Sequence, residues 1–218
     1  MQNVMIRRAT ADDRNFIVEA IIAAEKSNSS VLSYAGIFDL TEAAVADLLI
    51  QALEEEVEGQ EICTAHFLVA EINDKLAAAC ASWIEAKEGV SSGQIKANLL
   101  FHLLGKTVWE QSANRLKAIA ETSLERTPGA VQLEAVYTRP EFRGKGLTAK
   151  VICEHLRLHS AQPPAPTKAQ VILLKANTIA AGVYRKIGFE KIAEQAGTSA
   201  LLRHILPSPV KIMMQKQL

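Results

Sequence analysis

The chain has 218 residues, 49% of them apolar and 22% charged, so it can bury a full hydrophobic core and lacks the composition of a disordered protein. Its 24 basic and 24 acidic residues cancel, which leaves no overall field to favour nucleic acid or an anionic membrane as a partner. We expect a single domain over residues 1–218.

The first third of the chain predicts a strand and two amphipathic helices. Val4 to Arg7 is expected to form the strand, and Thr10 is placed to cap the first helix. The apolar face of that helix comprises Phe16, Ile17, Ala20, Ile21 and Ala24. The second helix is expected to begin at Thr41, and its apolar face comprises Val45, Leu48, Leu49, Ala52 and Leu53.

A hairpin and a long helical segment are expected next. Asn73-Asp74 is a tight-turn dipeptide between two apolar runs, 65–72 and 75–85, and predicts antiparallel strands. Residues 87–129 then predict two helices with a break at Gly105. Their apolar positions are Ile95, Leu99, Leu100, Leu103 and Leu104 in the first and Trp109, Leu116, Ile119 and Leu124 in the second. This pair either extends the core, makes a dimer contact or covers a pocket as a lid, and such apolar stripes favour the first two.

The most informative stretch is a glycine loop between a predicted strand, 131–138, and a predicted helix. The loop, 143–148, has the sequence Arg-Gly-Lys-Gly-Leu-Thr. A helix that starts after such a loop leaves backbone N–H groups unpaired at the positive end of its dipole, where phosphate binds. Arg143 and Lys145 add positive charge there. An ordinary turn, which uses Gly and Lys for steric and solvation reasons, explains the loop by itself equally well. The glycine spacing is not that of dinucleotide or nucleoside triphosphate loops, so neither ligand is expected.

A wider pattern links this loop to a known family. Arg143-x-x-Gly146 follows a Pro-Glu-Phe turn and precedes Asn177-x-x-Ala180-x-x-x-Tyr184-x-Lys186-x-Gly188-Phe189. In order and spacing the two halves resemble the GCN5-related N-acetyltransferase (GNAT) superfamily, the first its acetyl-CoA pyrophosphate loop and the second the helix and Gly-Phe turn that follow. The tight match spans 132–189, and Thr148 stands where the family usually has Gly or Ala.

The resemblance implies a fold and a cofactor. The fold is α/β, with a mixed, strongly bent sheet of six or seven strands, helices on both faces, and 87–129 as a helical insertion before the cofactor-binding strand. A parallel strand over 171–174 should splay from that strand and leave a V-shaped slot, where the pantetheine arm of acetyl-CoA pairs with the free strand edge. The implied cofactor-binding residues are Val136, Tyr137, Thr138, Arg143, Gly144, Lys145, Gly146, Leu147, Thr148 and Asn177.

Glu134 is the candidate general base. It is a carboxylate within an apolar strand, and strict alternation would put it on one face with Val136 and Thr138. Its position resembles that from which small-amine members of the family take the amine proton, directly or through water. Burial would raise its pKa toward neutrality, as that role needs. The alternative is a structural ion pair with Arg7 or Arg8.

The resemblance implies further roles. Val136 would donate its N–H to the oxyanion that forms, Tyr184 would protonate the departing thiolate, and Asn177 would cap its helix or bond the pantetheine arm. For Tyr184 the alternative is a core tyrosine that anchors its helix. The connection 27–39, with the exposed-looking Tyr34 and Phe38, would border the acceptor site; an ordinary loop with both rings folded onto the core explains its composition equally well.

Other residue patterns do not favour a metal site or covalent catalysis. His155 and His159 lie one helical turn apart without an evident third ligand, so we expect a partly solvated, cationic pair near a helix C-terminus. Cys63, Cys80 and Cys153 form no Cys-x-x-Cys pair and are expected to be small buried side chains in a reducing cytosol. The N-terminus has no signal-peptide pattern, so the expected location is cytoplasmic.

These patterns predict an enzyme that moves an acetyl group from acetyl-CoA to a primary amine by direct attack in a ternary complex. A small-molecule acceptor is expected, because the carboxylate position resembles that of small-amine members and no extended charged groove is evident. The alternatives are a protein or peptide amine as acceptor, and a non-catalytic acyl-CoA-binding sensor, which the presence of Glu134 and Tyr184 disfavours. A homodimer is left open.

Overall fold

The computed structural model describes residues 4–218, which contain one seven-stranded mixed sheet. Its strands in chain order are β1 (Val4–Arg8), β2 (Phe67–Ile72), β3 (Lys75–Ile84), β4 (Val131–Thr138), β5 (Lys168–Leu174), β6 (Glu190–Ala196) and β7 (Val210–Gln217). Across the sheet the order is β1-β2-β3-β4-β5-β7-β6. The β4–β5 pair is parallel and the other pairs are antiparallel. The predicted mixed sheet is confirmed.

Helices cover both faces of this sheet, as predicted. They are α1 (Arg14–Lys26), α2 (Ser33–Phe38), α3 (Glu42–Glu54), α4 (Ser92–Gln111), α5 (Ala113–Ala120), α6 (Leu147–Ser160), α7 (Thr178–Lys186) and α8 (Leu202–Ile205). Helices α1 to α4 share one buried cluster with Val69 and Ala79 of the sheet. Helices α6 and α7 share a second cluster with Leu133 and Val171. Within residues 4–218, no helix combines the length and apolar character needed to cross a bilayer.

Local signals near the N-terminus set the first helices. Thr41 accepts a hydrogen bond from the Ala44 N–H at 3.2 Å, so α3 has the predicted cap, and all five of its predicted apolar residues are buried. Thr10 caps a short 3-10 turn, Ala11–Asp13, and its N–H donates to the Asp13 carboxylate at 2.8 Å. Helix α1 continues directly from this turn, so it begins slightly later than the cap alone suggests.

The predicted hairpin between β2 and β3 is confirmed. Its turn residues, Asn73 and Asp74, have φ values of 50° and 59°. Two successive left-handed residues form the turn whose twist matches that of the flanking antiparallel strands, and Asn and Asp tolerate this conformation better than most residues. The two strands then pair antiparallel, from Phe67 with Ala81 to Ile72 with Lys75.

The connection 27–39 is more ordered than predicted. It contains α2, whose Tyr34 and Phe38 are each only 5% exposed, so of the two interpretations left open by the sequence, the one with both rings folded onto the core is confirmed. Both rings fold onto the core because their apolar area stabilises the protein only when it is removed from water. Helix α8, in the connection between β6 and β7, packs against α2 and α5. The sequence patterns did not predict α2, α8 or β6.

The insertion 87–129 extends the core and also encloses space. The predicted break at Gly105 is present, with φ 76° and ψ 165°, but Ser112 separates α4 from α5 and Leu124 lies beyond both helices. Helix α4 contributes Leu99 to the core, and Trp109 packs against Phe38 with ring centroids 5.9 Å apart. The insertion therefore forms part of the core and, as described below, one wall of a cavity.

Two of the three cysteines are buried, as predicted, and the third is not. Cys63 and Cys80 are buried, as expected of small apolar side chains, and both are free thiols. Cys153 is exposed, so the prediction is wrong for this residue. It is next to the buried Ile152 on α6, and because successive side chains of a helix are rotated by about 100°, Cys153 lies off the buried face.

Candidate active site

The candidate site begins where β4 and β5 separate. Their parallel register joins Val131 with Ala169 and Leu133 with Val171, and within the described residues it stops there. Residues beyond that point on both strands line a cavity of about 450 Å³. The V-shaped slot that the sequence predicts is therefore present between the two strands.

A β-bulge in β4 lies at the mouth of this slot. Ala81 of β3 is in register with Glu134, and Ala79 is in register with Tyr137, so two residues of β4 oppose one residue of β3. The first of these two β4 residues, Ala135, has a φ of 50°. Such an insertion bends the strand and reverses the alternation of its side chains.

The bulge overturns the prediction that Glu134, Val136 and Thr138 share one face. Glu134 lies in the cavity with residues of α1, α2 and α4. Val136 packs into the cluster of α6, and the Thr138 hydroxyl lies 2.9 Å from that of Thr148. The Tyr137 hydroxyl donates to Glu19 at 3.0 Å, so this side chain is turned toward α1 and away from the slot.

Glu134 has a partner that sequence reasoning did not identify. The Arg126 guanidinium donates to Glu134 Oε1 and stacks 5.3 Å from the Trp83 ring centroid. The proposed partners on β1 are wrong, because Arg7 instead pairs with Asp13 at 2.7 Å and with Glu71. Arg126 lies in an irregular segment with no local pattern, so only the fold reveals the pair.

The environment of Glu134 gives it the pKa expected of a base that works near neutrality. Its side chain is 26% exposed, and burial raises its pKa to about 7. Arg126 and Lys96 oppose this rise, whereas Glu61 reinforces it because a second negative charge nearby disfavours ionisation. A carboxylate with this pKa exchanges a proton readily at neutral pH.

The cavity wall also contains a second ion pair with spare hydrogen-bonding capacity. Lys96 of α4 donates to Glu61 Oε1. Burial acts to raise the pKa of Glu61, but the positive charges of Lys96 and Arg126 hold it below its usual value. In the part of the chain that the structure describes, Glu61 Oε2 and Arg126 Nε are buried without a hydrogen-bond partner. Buried polar atoms of this kind are normally paired, so each has unused hydrogen-bonding capacity.

Helix α7 brings two predicted residues to the same cavity. Asn177 caps the helix, since its Oδ1 accepts from the Ala180 N–H at 3.1 Å, which confirms the predicted cap. Tyr184 is 4% exposed and lies edge-on to Phe189, with ring centroids 5.7 Å apart. Burial raises the pKa of Tyr184 well above its usual value, so its hydroxyl keeps its proton.

The backbone of the loop 143–148 is open to a ligand. Gly144 and Gly146 have φ values of 77° and 72°, which side-chain-bearing residues rarely adopt. Apart from the glycine and its two neighbours in the chain, no described atom lies within 4 Å of where a Cβ would stand on Gly144 or Gly146. Helix α6 begins at Leu147, whose side chain is buried, so this residue offers only its N–H to the loop.

Side chains of the loop are tied to the protein around it. Arg143 Nε donates to the Thr138 carbonyl at 3.2 Å, and Lys145 Nζ lies 5.3 Å from the Phe142 ring centroid. The hydroxyl contact between Thr148 and Thr138 joins the start of α6 to the end of β4. Thr148 thus has a structural contact that Gly or Ala could not make; its predicted contact with phosphate stays a prediction.

A second cavity, of about 750 Å³, contains the two histidines of α6. The Ser82 hydroxyl lies 2.6 Å from His155 Nδ1 and 2.8 Å from His159 Nε2, and His155 Nε2 lies 2.8 Å from the Cys80 carbonyl. Burial lowers the pKa of His155 to about 3 and that of His159 to about 4, so the prediction of a cationic pair is wrong. Residues 4–218 contain no group of three or more side chains placed to hold a metal ion.

The chain is similar to one protein family and to several solved structures. The family model described as FR47-like protein matches residues 112–197, which include Glu134, the loop 143–148 and Tyr184. No curated protein matches the chain by sequence. Solved structures resemble it over nearly their whole length, although their sequences differ widely from it.

Three of these structures illustrate the likeness. An N-acetyltransferase from Staphylococcus aureus Mu50 is 16% identical with a TM-score of 0.64, over 97% of this chain and 99% of that one. The polyamine N-acetyltransferase of Drosophila melanogaster, which forms N-acetylagmatine, is 11% identical with a TM-score of 0.60, over 99% and 100%. The putative acetyltransferase yncA from Salmonella typhimurium, solved with its cofactor acetyl-CoA, is 16% identical with a TM-score of 0.54, over 99% and 94%.

The fold is that of the GNAT acetyltransferases. The resemblance drawn from two short motifs is confirmed, and the neighbours agree with the prediction of an acyltransferase. Three charged residues of the cavity wall lie outside the GNAT motifs and were not predicted from the sequence. They are Glu61, Lys96 and Arg126. These residues come from three separate connections or helices, and no sequence spacing joins them to the motifs.

Proposed function

We propose that the protein transfers an acetyl group from acetyl-CoA to the primary amine of a small molecule. One observation carries this proposal: the slot between β4 and β5 opens into a cavity that contains both Glu134 and Tyr184. Its volume of about 450 Å³ is in the range of small-molecule sites. The bound acetyl-CoA of one neighbour and the small-amine product of another support the same assignment.

The residues present fit acetyl-CoA. The open backbone at Gly144 and Gly146, next to the first turn of α6, suits a diphosphate, and Arg143 and Lys145 add charge beside it. The edge of β4 beyond Leu133 has no partner on β5 among the described residues, so the amides of a pantetheine arm could pair with it. When bound, acetyl-CoA supplies a thioester carbonyl that a neutral amine can attack.

Residues of the chain prepare the amine and assist the departing thiol. Glu134, with a pKa of about 7, accepts the proton of the acceptor ammonium directly or through water, and Arg126 fixes its orientation. The Val136 N–H would stabilise negative charge on the carbonyl oxygen, and the position of Val136 in the bulge, without a register partner on β3, supports this role. Tyr184 keeps its proton at neutral pH and can donate it to the leaving sulfur.

Thiol release tests the proposed activity. Purified protein is mixed with acetyl-CoA and a panel of small primary amines, together with lysine-containing peptides, and free CoA is followed with a thiol reagent. We expect release that depends on both the protein and a small amine. Release with peptides alone would contradict the small-molecule acceptor. Binding of acetyl-CoA without release for any amine would instead favour a sensor.

A further inference from the structure

Two charged side chains in the wall of the first cavity lack the pairing that their neighbours have. Glu61 pairs with Lys96, and Glu134 pairs with Arg126. Lys211 of β7 also lines this cavity, but its ammonium makes no hydrogen bond or ion pair with any residue in 4–218. The same holds for the carboxylate of Glu25, near the end of α1. The cavity therefore presents one positive and one negative charge without a direct partner.

Lys211 stands close to the reacting end of the slot. It is in register with Leu174 of β5, one of the residues that line the cavity beyond the point where β4 and β5 separate. Its charge is near enough to those of Glu25, Glu134, Lys96 and Arg126 for each to influence its protonation. Lys211 and Glu134 therefore face the same space.

A partly enclosed ammonium without a partner is costly to keep. Burial lowers the pKa of Lys211, while Glu25 acts in the opposite direction. Removing a charge from water destabilises the protein unless a counter-charge or hydrogen bonds replace the water. A ligand with an anionic group would supply that counter-charge, whereas a purely cationic ligand would be repelled at this point.

We propose that the acceptor is an amino acid-like small molecule, whose carboxylate binds Lys211 while its amine is presented to Glu134. Glu25 attracts the positive charge of the same molecule. This inference rests on the proposed function, because it names the acceptor of the same site. It distinguishes the protein from a polyamine acetyltransferase, whose acceptor has positive charges and no carboxylate.

Paired probes test the inference. Each pair is an amino acid and the amine left when its carboxyl group is removed: β-alanine with ethylamine, L-ornithine with putrescine, and L-lysine with cadaverine. Binding to the protein with CoA present is measured by calorimetry, and kcat/KM by thiol release with acetyl-CoA. We expect at least one amino acid to bind and to react at least about tenfold better than its partner amine, since a hydrogen-bonded charge contributes that much or more.

Substitution of Lys211 then links the preference to this residue. Lys211→Met keeps the length and apolar stem of the side chain but removes the charge, so the preference for the amino acid should fall about tenfold or more, because the amino acid loses its counter-charge and the amine is no longer repelled. Lys106→Met is the matched control, because Lys106 is exposed on the insertion at 78% and does not line the cavity. It should leave the preference unchanged.

The outcomes separate this inference from the proposed function. The inference alone would be overturned if amines reacted as well as the amino acids, or if no amino acid bound. An unchanged preference in Lys211→Met would also overturn it. A lower melting temperature of Lys211→Met with the same preference would assign Lys211 a structural role only and would also overturn it. Failure of the protein to bind or cleave acetyl-CoA with every amine would count against the proposed function itself.

Discussion

Two polar clusters on opposite faces of the sheet differ in how completely they are hydrogen-bonded. On the α6 face, Ser82 joins His155 and His159, and His155 also contacts a backbone carbonyl. On the cavity face, Glu61 and Arg126 each retain a buried polar atom without a partner in the described chain. A satisfied network stabilises a fold, whereas unsatisfied groups are retained at a cost that a ligand can offset. The comparison predicts different consequences of substitution on the two faces.

The largest effect is expected on the cavity face. Glu134→Gln preserves the shape of the side chain and a hydrogen-bond acceptor for Arg126 but removes the base, so kcat/KM should fall about a hundredfold or more near pH 8. Because burial raises the pKa of Glu134 to about 7, kcat/KM of the original protein should decline as the pH falls through 7, where the carboxylate becomes protonated. The variant should lack this decline. A pH series of thiol-release rates measures both effects.

Glu71→Gln provides the matched control for this substitution. Glu71 is also a strand carboxylate that pairs with an arginine, and its side chain is 13% exposed, but it lies on β2 away from the cavity. Its loss should affect the melting temperature and leave the pH profile of activity intact. Equal activity of Glu134→Gln and Glu71→Gln would contradict the assignment of Glu134 as the base.

The next largest effect is expected on the α6 face, and on stability instead of activity. Ser82→Ala removes the hydroxyl that lies between His155 Nδ1 and His159 Nε2, so the free energy of unfolding should fall by about 1–3 kcal/mol because buried ring nitrogens lose a partner. Urea denaturation measures this change. The exposed Ser160, at the end of α6, gives the control Ser160→Ala with little effect. A large loss of turnover in a fully folded Ser82→Ala variant would contradict the claim that this face contributes to stability and not to activity.

The smallest effect is expected at Tyr184, which packs with α6 and α7 yet lines the cavity. Tyr184→Phe retains the ring contact with Phe189 and removes only the hydroxyl. A thiolate with a pKa of about 8.5 leaves without much help, so kcat should fall only about tenfold while the affinity for acetyl-CoA stays the same. Steady-state rates and calorimetry measure the two quantities. Unchanged kcat would remove Tyr184 from the reaction and leave it as a core residue.

Local patterns predicted the elements whose signals are local. The Thr41 cap, the Asn73-Asp74 turn and the break at Gly105 depend on residues next to one another, and each is present. The glycine loop was predicted from its own residues, and the splayed strands followed from the family resemblance. This part of the fold could be predicted because propensity, apolar period and motif agree with each other.

Contacts between distant segments could not be predicted. The alternation rule failed at Glu134 because a bulge of one residue reverses every side chain beyond it, and nothing in the strand sequence marks Ala135 as left-handed. The Arg126 partner and the unpaired Lys211 meet only through the tertiary fold. His155 was misjudged because its burial depends on how α6 packs on β3, and burial decides its charge.

The most direct test of the central claim is the binding of acetyl-CoA at the loop 143–148. Gly146→Val places a branched side chain where the backbone is open and has a φ of 72°, so it should block a diphosphate and strain the turn. Acetyl-CoA should raise the melting temperature of the original protein, and the folded variant should show no such rise. An equal rise in both would contradict the account, because the cofactor would then bind without this loop.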